Sequence, residues 1–171
     1  MESLRKNGRR KNPQGVETFM KNFEVYLAGP MCQMTLQQAN VWRLYVEEEL
    51  ARYDVRCRNP FRAKERFFQD GNVIGLDYDK TSLQLSDKYV LFRDRYDVLA
   101  SDLLFINFLN AKEVSIGTVM EISWATLLRK PTIIVMEPDN IHNHPMIIES
   151  TAFIVPTLED GIEVTVEVLN V

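Results

Sequence analysis

The chain is poor in the residues that staple or anchor small proteins. Among its 171 residues are two cysteines and two histidines. Cys32 and Cys57 stand far apart with no CxxC pattern, which excludes a disulfide framework and a structural zinc site. His142 and His144 lie one residue apart on a polar stretch with no third ligand at a suitable spacing. They read as surface residues rather than as a metal centre. No apolar run approaches the ~20 residues needed to span a membrane. The basic residues near the N-terminus have no apolar segment behind them, which argues against a secretory signal. A reducing cytoplasm is the expected setting. The sequence shows no internal repeat, and no cofactor or metal is expected.

What is present describes an ordinary soluble domain, with 46% hydrophobic and 26% charged residues. The length fits one domain with a substantial core. The net charge of −4 is unevenly spread. Residues 1–15 carry five basic side chains against Glu2, so the rest of the chain nets −8 and the whole −4. Such an arm can bind nucleic acid. The acidic body favours a solvated arm instead, so residues 1–22 are taken as a basic, flexible segment ahead of a single domain over 23–171. Nucleic acid is not the expected partner.

The centre of the pattern is 94–125. Leu103 to Phe108 is an apolar run of strand length, Asn110 to Ser115 is polar, and Gly117-Thr118 opens a segment with Val119, Ile122, Trp124, Ala125 and Leu128 near helical spacing. Elsewhere Phe23–Ala28 reads as a strand ending in Gly29-Pro30. Gln37–Tyr53 reads as a helix with Val41, Leu44, Tyr45 and Leu50 as its apolar positions and Glu47-Glu48-Glu49 on a solvated face. Val55–Arg58 is a short strand stopped by Asn59-Pro60. Residues 61–80 suggest a short helix and a glycine-punctuated loop. Ser86-Asp87 starts a helix to Ala100 with Val90, Leu91, Tyr96, Val98 and Leu99 as core contacts. Thr132–Met136 and Phe153–Val155 complete the strands. Thr157 with Asp160 matches a capping box and predicts a C-terminal helix, although the alternation of Ile162, Val164, Val166 and Val168 also suits a strand. Strands alternating with helices, several of them continuously apolar, predict an α/β fold: a flavodoxin-like, doubly wound, five-stranded, mainly parallel sheet with helices on both faces.

Open α/β sheets bind ligands at the carboxyl ends of their strands. Gly29-Pro30, Asn59, Asp94 and the stretch from Ser115 to Glu121 all fall there. A loop feeding a helix N-terminus offers backbone N–H groups to an anion, and that N-terminus favours an ionised Glu121. A carboxylate aimed into such a cleft is a candidate nucleophile. Each feature alone has a plainer explanation: a turn, a dipole partner, a solvent-facing helix residue. For Asp94 the plain explanation is stronger, since Asp87, Asp97 and Asp102 are near it in sequence. Asp102 reads as structural. Trp42-Arg43 suits the lining of a base pocket, but reads better as a core Trp beside a surface Arg.

Together the residues Val25-Tyr26-Leu27-Ala28-Gly29-Pro30, Asp94 eight residues before Asp102, Ser115-Ile116-Gly117-Thr118-Val119-Met120-Glu121, and Lys130-Pro131 resemble the nucleoside 2-deoxyribosyltransferase family. The resemblance covers roughly residues 23–135. It implies exchange of bases on 2′-deoxynucleosides, or hydrolysis of nucleoside 5′-monophosphates as in the N-glycosidase relatives. By that resemblance Glu121 attacks the anomeric carbon and Asp94 protonates the departing base. Gly29, Pro30, Asn59, Ser115, Gly117 and Thr118 bind the substrate, a small nucleoside or nucleotide, in a homo-oligomer of two or more chains. The residue types suit the reaction. A carboxylate stabilises or captures an oxocarbenium-like centre, and a second acid is needed because a nucleobase leaves poorly as an anion.

Two departures bear on the substrate. Many transferases of this family carry an acidic residue where Ser115 stands, and a serine there resembles the monophosphate-cleaving relatives. The transferases also bring an Asn from a neighbouring subunit, where this chain reads His144-Pro145-Met146-Ile147. Two other functions remain open at this level. One is a phosphoribohydrolase of the cytokinin-activating type, although Val114-Ser115-Ile116 stands where that family has PGG. The other is a non-catalytic nucleotide-binding sensor.

Overall fold

The computed structural model describes residues 9–11, 17–19, 21–62 and 86–171. Near the N-terminus, β1 (Arg9–Lys11) and β2 (Glu17–Phe19) pair antiparallel, Arg10 opposite Thr18. The main sheet holds β3 (Glu24–Ala28), β4 (Arg56–Arg58), β5 (Leu103–Asn107), β6 (Thr132–Val135) and β7 (Phe153–Val155). All neighbours in it are parallel, in the order β4-β3-β5-β6-β7. This is the five-stranded doubly wound arrangement that the alternation of elements predicts. The chain passes from β3 to β4 through α1 on one face and from β4 across to β5 through α2 on the other, so a crevice opens beyond the carboxyl ends of β3 and β5.

Side chains alternate across each strand, and a sheet buried on both faces needs apolar residues at every position. Leu103, Phe105, Ile133 and Val135 point to one face, where they meet Val46 and Leu50 of α1 (Leu36–Ala51) and Ile162 and Leu169 of α5 (Leu158–Leu169). Leu104, Ile106 and Ile134 point to the other. There they pack with Val98 of α2 (Asp87–Ala100), Ile122 and Ala125 of α3 (Ile116–Leu127), and Ile147 of α4 (Pro145–Ile148). Tyr26 and Ala28 belong to this second face. The site lies on it.

Local signals set the helix ends. Thr35 and Gln38 form a reciprocal capping box on α1, and Ser86 caps α2 by accepting from Tyr89 N. Thr157 accepts from Asp160 N, and α5 is a helix, not the strand that its alternating valines allow. A Cβ on Gly161 would come within 2.9 Å of Phe105 and Val135, so α5 meets the sheet closely only because that residue is glycine.

The faces of two helices differ from the sequence expectation. On α1, Val41 and Leu44 are 59% and 54% exposed, Tyr45 is also exposed, and the buried residues are Ala39, Asn40, Arg43, Val46 and Leu50. On α2, Leu91, Tyr96 and Leu99 are exposed, while Asp94, Asp97 and Val98 turn inward. Asp97 tolerates full burial because Arg58, at the end of β4, and Arg62, in the turn after it, both pair with it. Neither pairing is visible within the helix's own sequence. From residue 63 on, the helix and loop expected over 61–80 lie outside the described residues. Among the described residues no helix is long and apolar enough to cross a membrane.

Candidate active site

Tyr26 is a fully buried phenol between Val25 and Leu27 of β3, and a buried hydroxyl needs a partner. It finds one on α3, donating to Glu121 Oε1 at 2.7 Å. Glu121 and Asp94, each 7% exposed, reach the same cavity from α3 and α2. That cavity, of about 380 Å³ among the described residues, also meets Gly29, Arg43, Ser115, Gly117 and Thr118. Its volume is within the usual range for small-molecule sites, ~300–1,000 Å³. A smaller lobe of about 190 Å³ runs between α2 and α3 and shares Asp94, Gly117 and Glu121 with it. The walls of this lobe are more apolar, with Leu91, Met120 and Trp124.

The electrostatics correct one expectation. Glu121 stands in the second turn of α3, and burial together with the charge of Asp94 pushes its pKa up to about 8. The Tyr26 hydrogen bond and the charge of Arg43 pull the other way without cancelling the shift. The helix N-terminus therefore does not decide the ionisation of Glu121; desolvation does. Burial and the nearby Glu121 and Asp94 raise the Tyr26 pKa well above the usual phenol value, so Tyr26 keeps its proton and is the donor.

Arg43, expected at the surface, is fully buried. It donates to Leu27 O at 3.2 Å, to Gly29 O at 2.9 Å and to Ala39 O, with its guanidinium over the Trp42 ring at 4.3 Å. Burial lowers its pKa to about 10, so it stays charged at neutral pH. It clamps the end of β3 and places a fixed cation beside the acids. Gly29 fits under that clamp because it has no Cβ: one added there would meet Asn107 O at 2.7 Å.

The structure separates the four neighbouring aspartates. Asp94 faces the main cavity, and Asp87 lies at the smaller lobe. Asp97 is held by arginines, and Asp102 accepts from Glu24 N at 2.9 Å and pairs with Lys21 at the opposite end of the sheet. Of the residues expected to bind substrate, Gly29, Ser115, Gly117 and Thr118 line the cavity. Asn59 and Pro30 are not among its lining residues. The Asn59 amide donates to Asn40 Oδ1 at 2.8 Å and accepts from Phe61 N at 2.9 Å, which fixes the turn after β4; Pro60 reaches the cavity instead.

Two residues that line the cavity, Tyr26 and Arg43, and one that holds its Ser115, His142, were not among the residues expected to act. For Tyr26 a signal existed, a phenol between apolar strand neighbours. For Arg43 the pairing with Trp42 on one helix was a weak one; His142 gave none. His142, expected at the surface, is 1% exposed and accepts a hydrogen bond from Ser115 N.

No protein-family model matches the chain, and no curated protein sequence matches it. Solved structures do. The 2-deoxyribosyltransferase of the psychrotolerant bacterium Bacillus psychrosaccharolyticus superposes with a TM-score of 0.60 at 20% identity, over 85% of this chain and 95% of that one. The CMP N-glycosidase BcmB of Clostridium botulinum gives 0.52 at 15%, over 83% and 96%. The Moco carrier protein of Chlamydomonas reinhardtii gives 0.54 at 17%, over 88% and 98%. The chain has the fold shared by 2-deoxyribosyltransferases and this N-glycosidase, over nearly their whole length. At these identities the likeness is one of fold.

Proposed function

We propose that this protein cleaves the N-glycosidic bond of 2′-deoxynucleosides or their 5′-monophosphates and passes the deoxyribosyl group to another base or to water. The observation that carries the proposal is the placement of Glu121, hydrogen-bonded by Tyr26, in one cavity with Asp94. In the first step a Glu121 carboxylate oxygen bonds to the anomeric carbon as the carbon–nitrogen bond breaks. The bonding pair leaves with the base, and Asp94 supplies the proton that neutralises it. In the second step water or an incoming base attacks the same carbon, Asp94 takes up its proton, and Glu121 is released as carboxylate. Tyr26 orients Glu121 by binding one oxygen and leaves the other for the sugar. The apolar lobe beside Trp124 suits the flat base, and the polar cavity beside Ser115 suits the sugar and its 5′ substituent.

The test is incubation with every deoxynucleoside and deoxynucleoside 5′-monophosphate, followed by chromatography for free base. Base release that is lost in Glu121→Gln supports the proposal. Tight binding of a nucleotide without turnover supports a second reading, a non-catalytic binder, which the fold shared with a carrier protein favours. A homo-oligomer belongs to the main reading. Phe92 and Leu99 on α2 are each 50% exposed, apolar surface that a second copy would cover. Light scattering of the purified chain decides it.

A further inference from the structure

His142 lies between β6 and α4, and its ring stacks on Phe108 at the end of β5, centroids 3.7 Å apart and planes within 8°. Ser115 N donates to its Nε2 at 2.9 Å, so a lone pair must face Ser115. The other ring nitrogen faces Asn140 Oδ1 at 3.0 Å. Which Asn140 atom stands there follows from the amide nitrogen. It donates to the Phe108 carbonyl at 2.8 Å and the Glu137 carboxylate at 2.7 Å, and both of those are acceptors. Asn140 Oδ1 also accepts the His142 backbone N–H at 3.0 Å. An acceptor opposite Nδ1 requires the proton on Nδ1. The ring is the neutral Nδ1–H tautomer, and burial supports neutrality by lowering its pKa.

The same network ties down both ends of the loop that leads into α3. Glu137 accepts Asn110 N at 2.8 Å at the start, and His142 accepts Ser115 N at the end. Ser115 is the residue before α3; its carbonyl accepts Val119 N at 3.0 Å and its hydroxyl meets that of Thr118 at 2.9 Å. A displaced Ser115 would carry the first turn with it, and Glu121 follows in the second.

We propose that His142 is a positioning residue of this site, fixing the start of α3 through the Ser115 amide and so setting where Glu121 stands. The hydrogen bond is independent of any substrate. Its consequence for rate rests on the proposed N-glycosidic activity.

Long-range ¹H–¹⁵N spectra of the full-length, ¹⁵N-labelled protein test the bond directly. The expected result is a protonated Nδ1, a bare Nε2, and a scalar coupling between the Ser115 amide nitrogen and Nε2 across the hydrogen bond. A proton on Nε2, or no coupling, overturns the proposal. Two variants then test the positioning. In His142→Gln, Oε1 stands about where Nε2 does and can still accept from Ser115; in His142→Asn the side chain ends near Nδ1 and cannot. Base release should stay within about threefold of wild type in the Gln variant. In the Asn variant kcat should fall about 10- to 100-fold with little change in KM. Equal losses in the two variants overturn the positioning role. A wild type that releases no base from any nucleoside or nucleotide overturns the proposed activity instead, and the tautomer and coupling still decide the His142 bond.

Discussion

The Tyr26 phenol, on β3, donates to Glu121 Oε1 on α3 at 2.7 Å, and the two residues are 95 apart in sequence. This contact favours the ionised glutamate in a place where burial and Asp94 disfavour it. Removing the phenol should therefore raise the Glu121 pKa further. In Tyr26→Phe the acid limb of the kcat/KM profile should move to higher pH, with about a tenfold loss of rate at pH 7. A profile of lower amplitude but unchanged midpoint would show that Tyr26 does not tune Glu121.

In the wild type the same limb has a predicted position. A nucleophilic Glu121 must be ionised, and its pKa is about 8. Base release should rise with pH as Glu121 ionises and fall again where Asp94 loses the proton it donates, a bell-shaped profile. Asp94→Asn removes both the proton donor and the charge that raises the Glu121 pKa, so the acid limb should shift to lower pH and the alkaline fall should disappear.

Asp94→Asn should also discriminate among leaving groups. A proton donor contributes ~10²–10⁴-fold when the base leaves poorly and far less when it is already activated. Turnover of an analogue with an activated leaving group should survive better than that of natural substrates. Equal losses on both would make Asp94 a sugar-positioning residue.

Glu121→Gln should abolish base release while keeping the fold, at a cost of roughly 4 kcal/mol or more of barrier. It should also change the pH dependence of stability. Glu121 ordinarily titrates near 4.5 but in the folded protein near 8, so between these values the folded state holds the extra proton. Stability then falls as pH rises from about 4.5 to about 8. The glutamine has no such dependence. Its melting temperature relative to wild type should climb across that window, by about 2–4 °C per ~1 kcal/mol in a chain of this size. A constant difference from pH 5 to pH 8 would exclude the shifted carboxylate.

Ser115→Asp tests the 5′ substituent. The Ser115 hydroxyl and the start of α3 offer donors without negative charge, which suits a phosphate, since charge-assisted hydrogen bonds are about twice as strong as neutral ones. An aspartate there would repel it. The ratio of kcat/KM for a deoxynucleoside 5′-monophosphate over its nucleoside should exceed one in wild type and fall at least about tenfold in the variant. A wild type that prefers the nucleoside would overturn the phosphate assignment.

Much of this protein is written locally. Continuous apolar runs such as Leu103 to Ile106 required a sheet buried on both faces, Ser86 and Thr157 marked helix starts, and Ser115 to Glu121 marked a cavity at a strand's carboxyl end. Each of these signals is carried by neighbours within one turn or one strand. The tertiary structure alone decided which helix faces turn inward and which polar groups are buried. Asp97 turns inward because Arg58 at the end of β4 and Arg62 just after it meet it there. Arg43 is buried because the Leu27 and Gly29 carbonyls meet it, and His142 because Phe108, Asn140 and Ser115 enclose it. Burying a charge or an imidazole is costly unless partners arrive, and most of these partners come from elements distant in the sequence.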